Sequence, residues 1–132
     1  MLNHISLYVR DLEKSKSFYS YALAPLGYKL AKEKSHSAGF GTEDTDGKRD
    51  FWIKAGPVQP TPSFACLAFT AKDKEAVDAF HRAALKAGGT DNGAPGYRKQ
   101  YYPGYYAAYV FDPDGFNIEA VFDDLKLHSA NP

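Results

Sequence analysis

Three side chains able to do chemistry stand at related places in this chain: His4, Cys66 and Glu119. His4 opens an alternating run in which Ile5, Leu7 and Val9 form one apolar face, leaving His4, Ser6 and Tyr8 on the other. Cys66, Ala68 and Thr70 take the alternate positions of a second run, against Leu67, Phe69 and Ala71. Glu119 shares a face with Asn117 and Val121, opposite Phe116, Ile118, Ala120 and Phe122. If helices cover the apolar faces, His4 and Glu119 look into a common cleft. A carboxylate buried there can act as a general base or accept a hydrogen bond from a ligand. A histidine beside an apolar strand is ordinarily a core residue, and its pairing with Glu119 is what makes it a site candidate. Tyr8 and Trp52 offer flat faces to a planar ligand, with core packing as the competing use. Arg98 can hold a ligand carboxylate. Tyr102 and Tyr106 belong to a tyrosine-rich stretch expected to form the mouth of the cleft and to contact the ligand.

The elements that must position these groups occur twice. Cys66 follows His4 by 62 positions, Asp73 follows Asp11 by 62, and Phe80 follows Phe18 by 62. A unit this short must pack against its copy to bury a core. Asp11 caps a helix whose apolar spacing runs through Phe18-Tyr19 to Leu26, stopped by Pro25 and Gly27. Strands are expected at Tyr28 to Lys32, His36 to Thr42 and Phe51 to Ala55. The second unit repeats the order. It begins with a strand from Phe64 to Ala71 and a helix capped by Asp73 and ended by Gly88-Gly89. Asp91 to Gly104 reads as a long irregular excursion. Tyr105 to Phe111 and Phe116 to Phe122 are strands joined at Asp112-Pro113-Asp114-Gly115. If that turn closes a regular hairpin, Ala108 stands opposite Glu119 and Tyr106 opposite Val121. The expected organisation is one domain over residues 1–132: module one 1–56, a proline-rich linker 57–63, module two 64–123 and a polar tail 124–132.

Totals exclude several roles. Sixteen basic and sixteen acidic residues cancel, so no global field draws the chain to nucleic acid or an anionic membrane. No apolar run reaches membrane-spanning length, and no signal peptide is visible. A single cysteine cannot build an intramolecular disulfide framework, so a reducing, cytoplasmic setting is expected. Ten tyrosines and nine phenylalanines are the one excess, and clustered tyrosines near glycines suit a pocket or an interface.

The run Tyr106-Ala-Ala-Tyr-Val-Phe-Asp112-Pro-Asp-Gly115-Phe-Asn-Ile-Glu119, with Ala87 to Gly89 and Asn92 to Gly96 before it, resembles the vicinal oxygen chelate superfamily of glyoxalases, bleomycin- and fosfomycin-resistance proteins and extradiol dioxygenases. The likeness extends from His4 to Phe122. It implies an α+β fold: two βαβββ modules forming a concave, partly open β-barrel-like sheet with helices on the outer face. It also implies a divalent metal (Zn, Ni, Mn or Fe) held by His4, by the residue at position 66 and by Glu119. Here Cys66 stands where a histidine is usual and Trp52 falls near a fourth ligand position, so the metal is expected to be weakly held or absent. Thiolate is an acceptable Zn²⁺ ligand, whereas a small buried strand residue is the ordinary reading of Cys66. The resemblance implies a glyoxalase-like enzyme (lyase, isomerase or dioxygenase relative) with a degenerate metal site. The alternative it leaves open is a non-catalytic protein that sequesters a small planar or hydrophobic compound. A homodimer is expected, since short outer strands otherwise leave sheet edges open.

Overall fold

The computed structural model describes residues 2–43, 49–58 and 66–129. Most of the linker between the modules lies outside them, as does the start of the strand expected from Phe64. The first module is β1 (Ile5–Val9), α1 (Leu12–Ala22), a 3₁₀ turn (Ala24–Leu26), β2 (Lys29–Glu33), β3 (Ser37–Gly41) and β4 (Phe51–Ala55). The second is β5 (Cys66–Thr70), α2 (Lys74–Lys86), β6 (Thr90–Tyr97), β7 (Tyr105–Phe111) and β8 (Asn117–Asp123), followed by α3 (Leu125–Ser129). Both helices start where an aspartate closes the first turn. Asp11 accepts from the Lys14 amide at 3.1 Å and Asp73 from the Ala76 amide at 2.7 Å.

Each module makes one four-stranded mixed sheet, in the order β1-β4-β3-β2 and β5-β8-β7-β6. The first and last strands of a module pair in parallel and the others antiparallel. No strand of one sheet pairs with the other among the described residues, and no barrel closes. The registers preserve the internal repeat: Ser6 pairs with Trp52, and the corresponding Ala68 pairs with Glu119. Trp52 and Glu119 therefore hold equivalent positions in the two modules.

The helix-covered faces share one core. Phe18, Tyr19, Ala22 and Leu23 from α1 and its end meet Val77, Phe80 and Ala84 from α2, all fully buried. Each such large apolar side chain contributes about 1.5–3 kcal/mol. Phe69 of β5 packs edge-on against Tyr28 and Phe51 of the first module, with ring centroids 5.1 and 5.3 Å apart. One polar link crosses this core. The Tyr19 hydroxyl donates to Asp112 Oδ2 at 2.6 Å, with both residues buried. Burial raises the Asp112 carboxyl above its ordinary range, the opposing pull coming first from the Tyr19 hydroxyl and then from backbone amides.

Two expectations are corrected. The stretch from Asp91 to Gly104 is irregular only after Tyr97. Thr90–Tyr97 is an edge strand on β7, broken by register shifts around Gly93 that absorb its glycines and proline. The last hairpin is also shifted by one residue. Asp112 N donates to Phe116 O at 2.8 Å, so the loop has three residues and ends on Gly115 at φ 88°, a left-handed conformation that favours glycine. The Asp112 carboxylate fixes that loop by accepting from the Asp114 and Phe116 amides. As a result Tyr109, not Ala108, stands opposite Glu119, and Tyr106 pairs with Phe122 instead of Val121. Among the described residues no helix is long and apolar enough to cross a membrane.

Candidate functional site

The faces turned away from the helices stay open, and the second one gathers the chemistry. Strand alternation puts Cys66, Ala68 and Thr70 of β5, Glu119 of β8, and Tyr105 and Tyr109 of β7 on it. Glu119 is only 5% exposed although it lies on an uncovered face. Tyrosines account for the difference. The Tyr105 hydroxyl donates to Glu119 Oε2. Tyr101 and Tyr102 pack on the Tyr105 ring at 4.9 and 5.2 Å between centroids, and Tyr109 is the cross-strand neighbour of Glu119. The Cys66 thiol donates to Glu119 Oε1 at 3.4 Å.

The electrostatics follow from one buried negative charge. Burial, then hydrogen bonding to Glu119 and its charge, push the Cys66 thiol up to about 12. Burial and the Glu119 carboxylate likewise raise Tyr105 and Tyr109 well above the usual phenol range. These groups stay protonated at neutral pH and serve as donors around Glu119, not as bases or nucleophiles. The two donors differ in kind. Tyr105 holds Oε2 firmly, whereas a thiol is a weak donor, and Cys66 is itself exposed. A hydroxyl or N–H of a ligand can replace Cys66 on Oε1.

The expected site residues separate into groups. Cys66 and Glu119 touch. Cys66 is exposed, not the small buried residue of the ordinary reading, because its strand face carries no helix. Tyr102 stands at the tyrosine cluster and hydrogen-bonds Asp123. The Arg98 guanidinium lies 5.3 Å from the Tyr109 ring centre, with Nη2 donating to Ala94 O at 2.6 Å. Tyr106 is on the other face. Its ring packs on the core and its hydroxyl donates to Asp78 of α2 at 2.7 Å, a consequence of the shifted register. Tyr8 and Trp52 are on the open face of the first sheet, where Trp52 is half-buried and its Nε1 donates to Arg49 O at 3.1 Å. His4 makes no hydrogen bond to Glu119 or Cys66 among the described residues. It bonds Asn3 and lines a cavity of about 690 Å³ at the module junction, with Leu26, Tyr28, Asp50, Phe69 and Thr70. That cavity is roomy but touches neither Glu119 nor Cys66, so its size does not mark it as the chemical site.

The donors were tested for a metal. Among the described residues, no three His, Cys, Asp or Glu side chains come close enough to hold an ion. Both Glu119 oxygens already accept hydrogen bonds, and the indole of Trp52, which has no metal-binding atom, holds the equivalent place in the first module. The donor set of the described residues does not fit a divalent metal. Tyr101 and Tyr105 lie in the tyrosine-rich stretch expected at the mouth of the cleft but were not singled out, and Tyr109 lies beyond it. Counting Gly115 as the last residue of a three-residue loop would have placed Tyr109 opposite Glu119.

The family model for the Glyoxalase/Bleomycin resistance protein/Dioxygenase superfamily matches residues 1–120. A glyoxalase/bleomycin resistance protein from Albidiferax ferrireducens T118 is 33% identical. The match covers 92% of this chain and 98% of that one, with a TM-score of 0.77. A glyoxalase/bleomycin resistance protein/dioxygenase family enzyme from Burkholderia phytofirmans PsJN is 22% identical over 92% and 97% of the two chains, at a TM-score of 0.71. The genomically encoded fosfomycin resistance protein of Listeria monocytogenes is 21% identical over 96% and 95%, also at 0.71. The latter two establish likeness of fold. Comparison with curated proteins finds no match.

Proposed function

Since the chain belongs to the Glyoxalase/Bleomycin resistance protein/Dioxygenase superfamily, we propose that it takes a small molecule onto the open face of its second sheet and works on it through Glu119. The observation that carries this is a buried carboxylate on an uncovered face, with one oxygen bonded by Tyr105 and the other met, among the described residues, by a weak thiol donor. Glu119 Oε1 is the atom that accepts a ligand proton, either as a hydrogen bond or as a transferred proton. Tyr105 is a positioning residue, since its hydroxyl keeps Oε2 occupied and the carboxylate plane fixed. Tyr101 and Tyr102 shield the site from water, and Arg98 supplies a positive charge at its rim. We further infer that two copies associate, because each sheet keeps open edge strands.

A glyoxalase-like lyase or isomerase, which needs a proton moved at one carbon, suits Glu119 best. A sequestering role is the second reading. It is favoured by Trp52, which puts a flat indole where its counterpart in the other module is a carboxylate. The two separate on Glu119→Gln. An enzyme loses turnover of its bound substrate at least 100-fold on top of weaker binding, the scale of a lost general base. A sequestering protein has no turnover to lose and shows only weaker binding. A variant with full turnover would overturn the enzymatic reading.

A further inference from the structure

We propose that the open face of the first sheet is a platform for a planar aromatic anion, its ring laid on Trp52 and Tyr8 and its negative group held by Lys32, Lys34 and Lys54. The proposal rests on the reading that this chain takes small molecules and adds a second surface for them, apart from Glu119. The strand registers set the layout. Ser6, Trp52, Gly39 and Lys32 form one row across β1, β4, β3 and β2. Tyr8, Lys54 and Ser37 form the next row on the same face. A β-bulge between Leu30 and Lys32 turns Lys32 to this face, with Ala31 as the extra residue.

Gly39 lets the indole lie flat. A Cβ built at Gly39 would come within 2.8 Å of the Trp52 ring, so only glycine leaves the ring against the backbone. The indole N–H is already spent on Arg49 O, which leaves the ring face as the surface on offer. Tyr8 is 61% exposed, so its ring costs little to cover further. The charged side chains that the strands place on this face are lysines among the described residues. Lys29 is offset by Glu43 at 3.4 Å. Lys32, Lys34 and Lys54 have no carboxylate within ion-pair distance among the described residues, and Lys34 Nζ stands 5.2 Å from the Trp52 ring centre. The second sheet's open face differs, carrying Glu119 beneath tyrosines. A cationic ligand is drawn there and an anionic one to the first sheet.

The test uses one ring in three charge states, 2-naphthoate, 2-naphthamide and 2-naphthylmethylammonium, in equilibrium dialysis against the full chain. Naphthoate should bind about tenfold tighter than the amide, the amine should bind weakest, and 0.5 M NaCl should remove the preference, as expected of exposed charges. Lys34→Ala with Lys54→Ala should remove the preference for the anion but leave amide binding unchanged. Trp52→Ala should weaken all three about tenfold, with Trp52→Phe recovering most of it if the ring is what matters. Equal binding of amine and carboxylate, or full naphthoate affinity in Trp52→Ala, overturns the proposal. If Glu119→Gln alters binding while the Trp52 and lysine variants do not, this inference fails and the small-molecule reading stands. If no variant on either face alters binding, both fail.

Discussion

Replacing Glu119 by Gln should make Cys66 react faster with iodoacetamide. Cys66 is the only cysteine of the chain, so alkylation reports on one site. Burial and Glu119 together move its thiol from 9.0 to about 12. At pH 8 that span corresponds to roughly a thousandfold difference in thiolate. Burial is the largest cause and survives the substitution, and solvent screens an exposed thiol, so only part of the span is recovered. Losing the Glu119 charge should lower the titration midpoint by about one pH unit, giving roughly tenfold more thiolate. A less basic thiolate is intrinsically slower by about threefold per pH unit, so the net gain is roughly threefold at pH 8. The assay is alkylation followed by mass spectrometry between pH 7 and 10, with Tyr105→Phe as a control that keeps the carboxylate. An unchanged or slower rate in Glu119→Gln would mean that the carboxylate does not hold the thiol, and the site as described would be wrong.

Tyr19→Phe should cost about 1–3 kcal/mol in urea unfolding, because it leaves the buried Asp112 Oδ2 without its donor. Asp112 already has a raised folded-state pKa, and losing the hydroxyl raises it further. Such a carboxyl gives up folded-state stability as pH rises through its titration, so the deficit should be larger at pH 7 than at pH 4. An equal deficit at both would place the loss elsewhere. Gly39→Ala should displace the Trp52 indole and destabilise by about 1–3 kcal/mol, with a shift in the emission of the single tryptophan. Unchanged emission would show that the ring does not lie on that glycine. Sedimentation at micromolar concentration should show a dimer, and a monomer alone would remove the proposed association.

The internal repeat was legible because alternation and capping are local. Asp11 and Asp73 cap their helices as read, and β1, β4 and β7 fall within a residue or two of their expected bounds. The family was legible from the run ending at Glu119. Register was not. A single residue in the Asp112–Gly115 loop moves every cross-strand partner, and whether that loop holds two residues or three depends on Gly115 taking a left-handed conformation. That error hid Tyr105 and Tyr109 and put Tyr106 on the wrong face. Thr90–Tyr97 was missed because its glycines and proline argue against a strand, and an edge position with register shifts tolerates them. The cavity that His4 lines was also beyond local reading, since alternation gives the face of a strand and not where the two sheets come to lie.

The central claim is that small molecules bind on the open face around Glu119. A backbone amide NMR titration of the full chain with a set of small hydroxy- and carbonyl-bearing compounds tests it most directly. The account predicts shifts at Cys66, Tyr105, Tyr109 and Glu119, weakened at least tenfold in affinity by Glu119→Gln. Shifts confined to the junction cavity, at Leu26, Tyr28 and Phe69, and indifferent to Glu119→Gln, would contradict it.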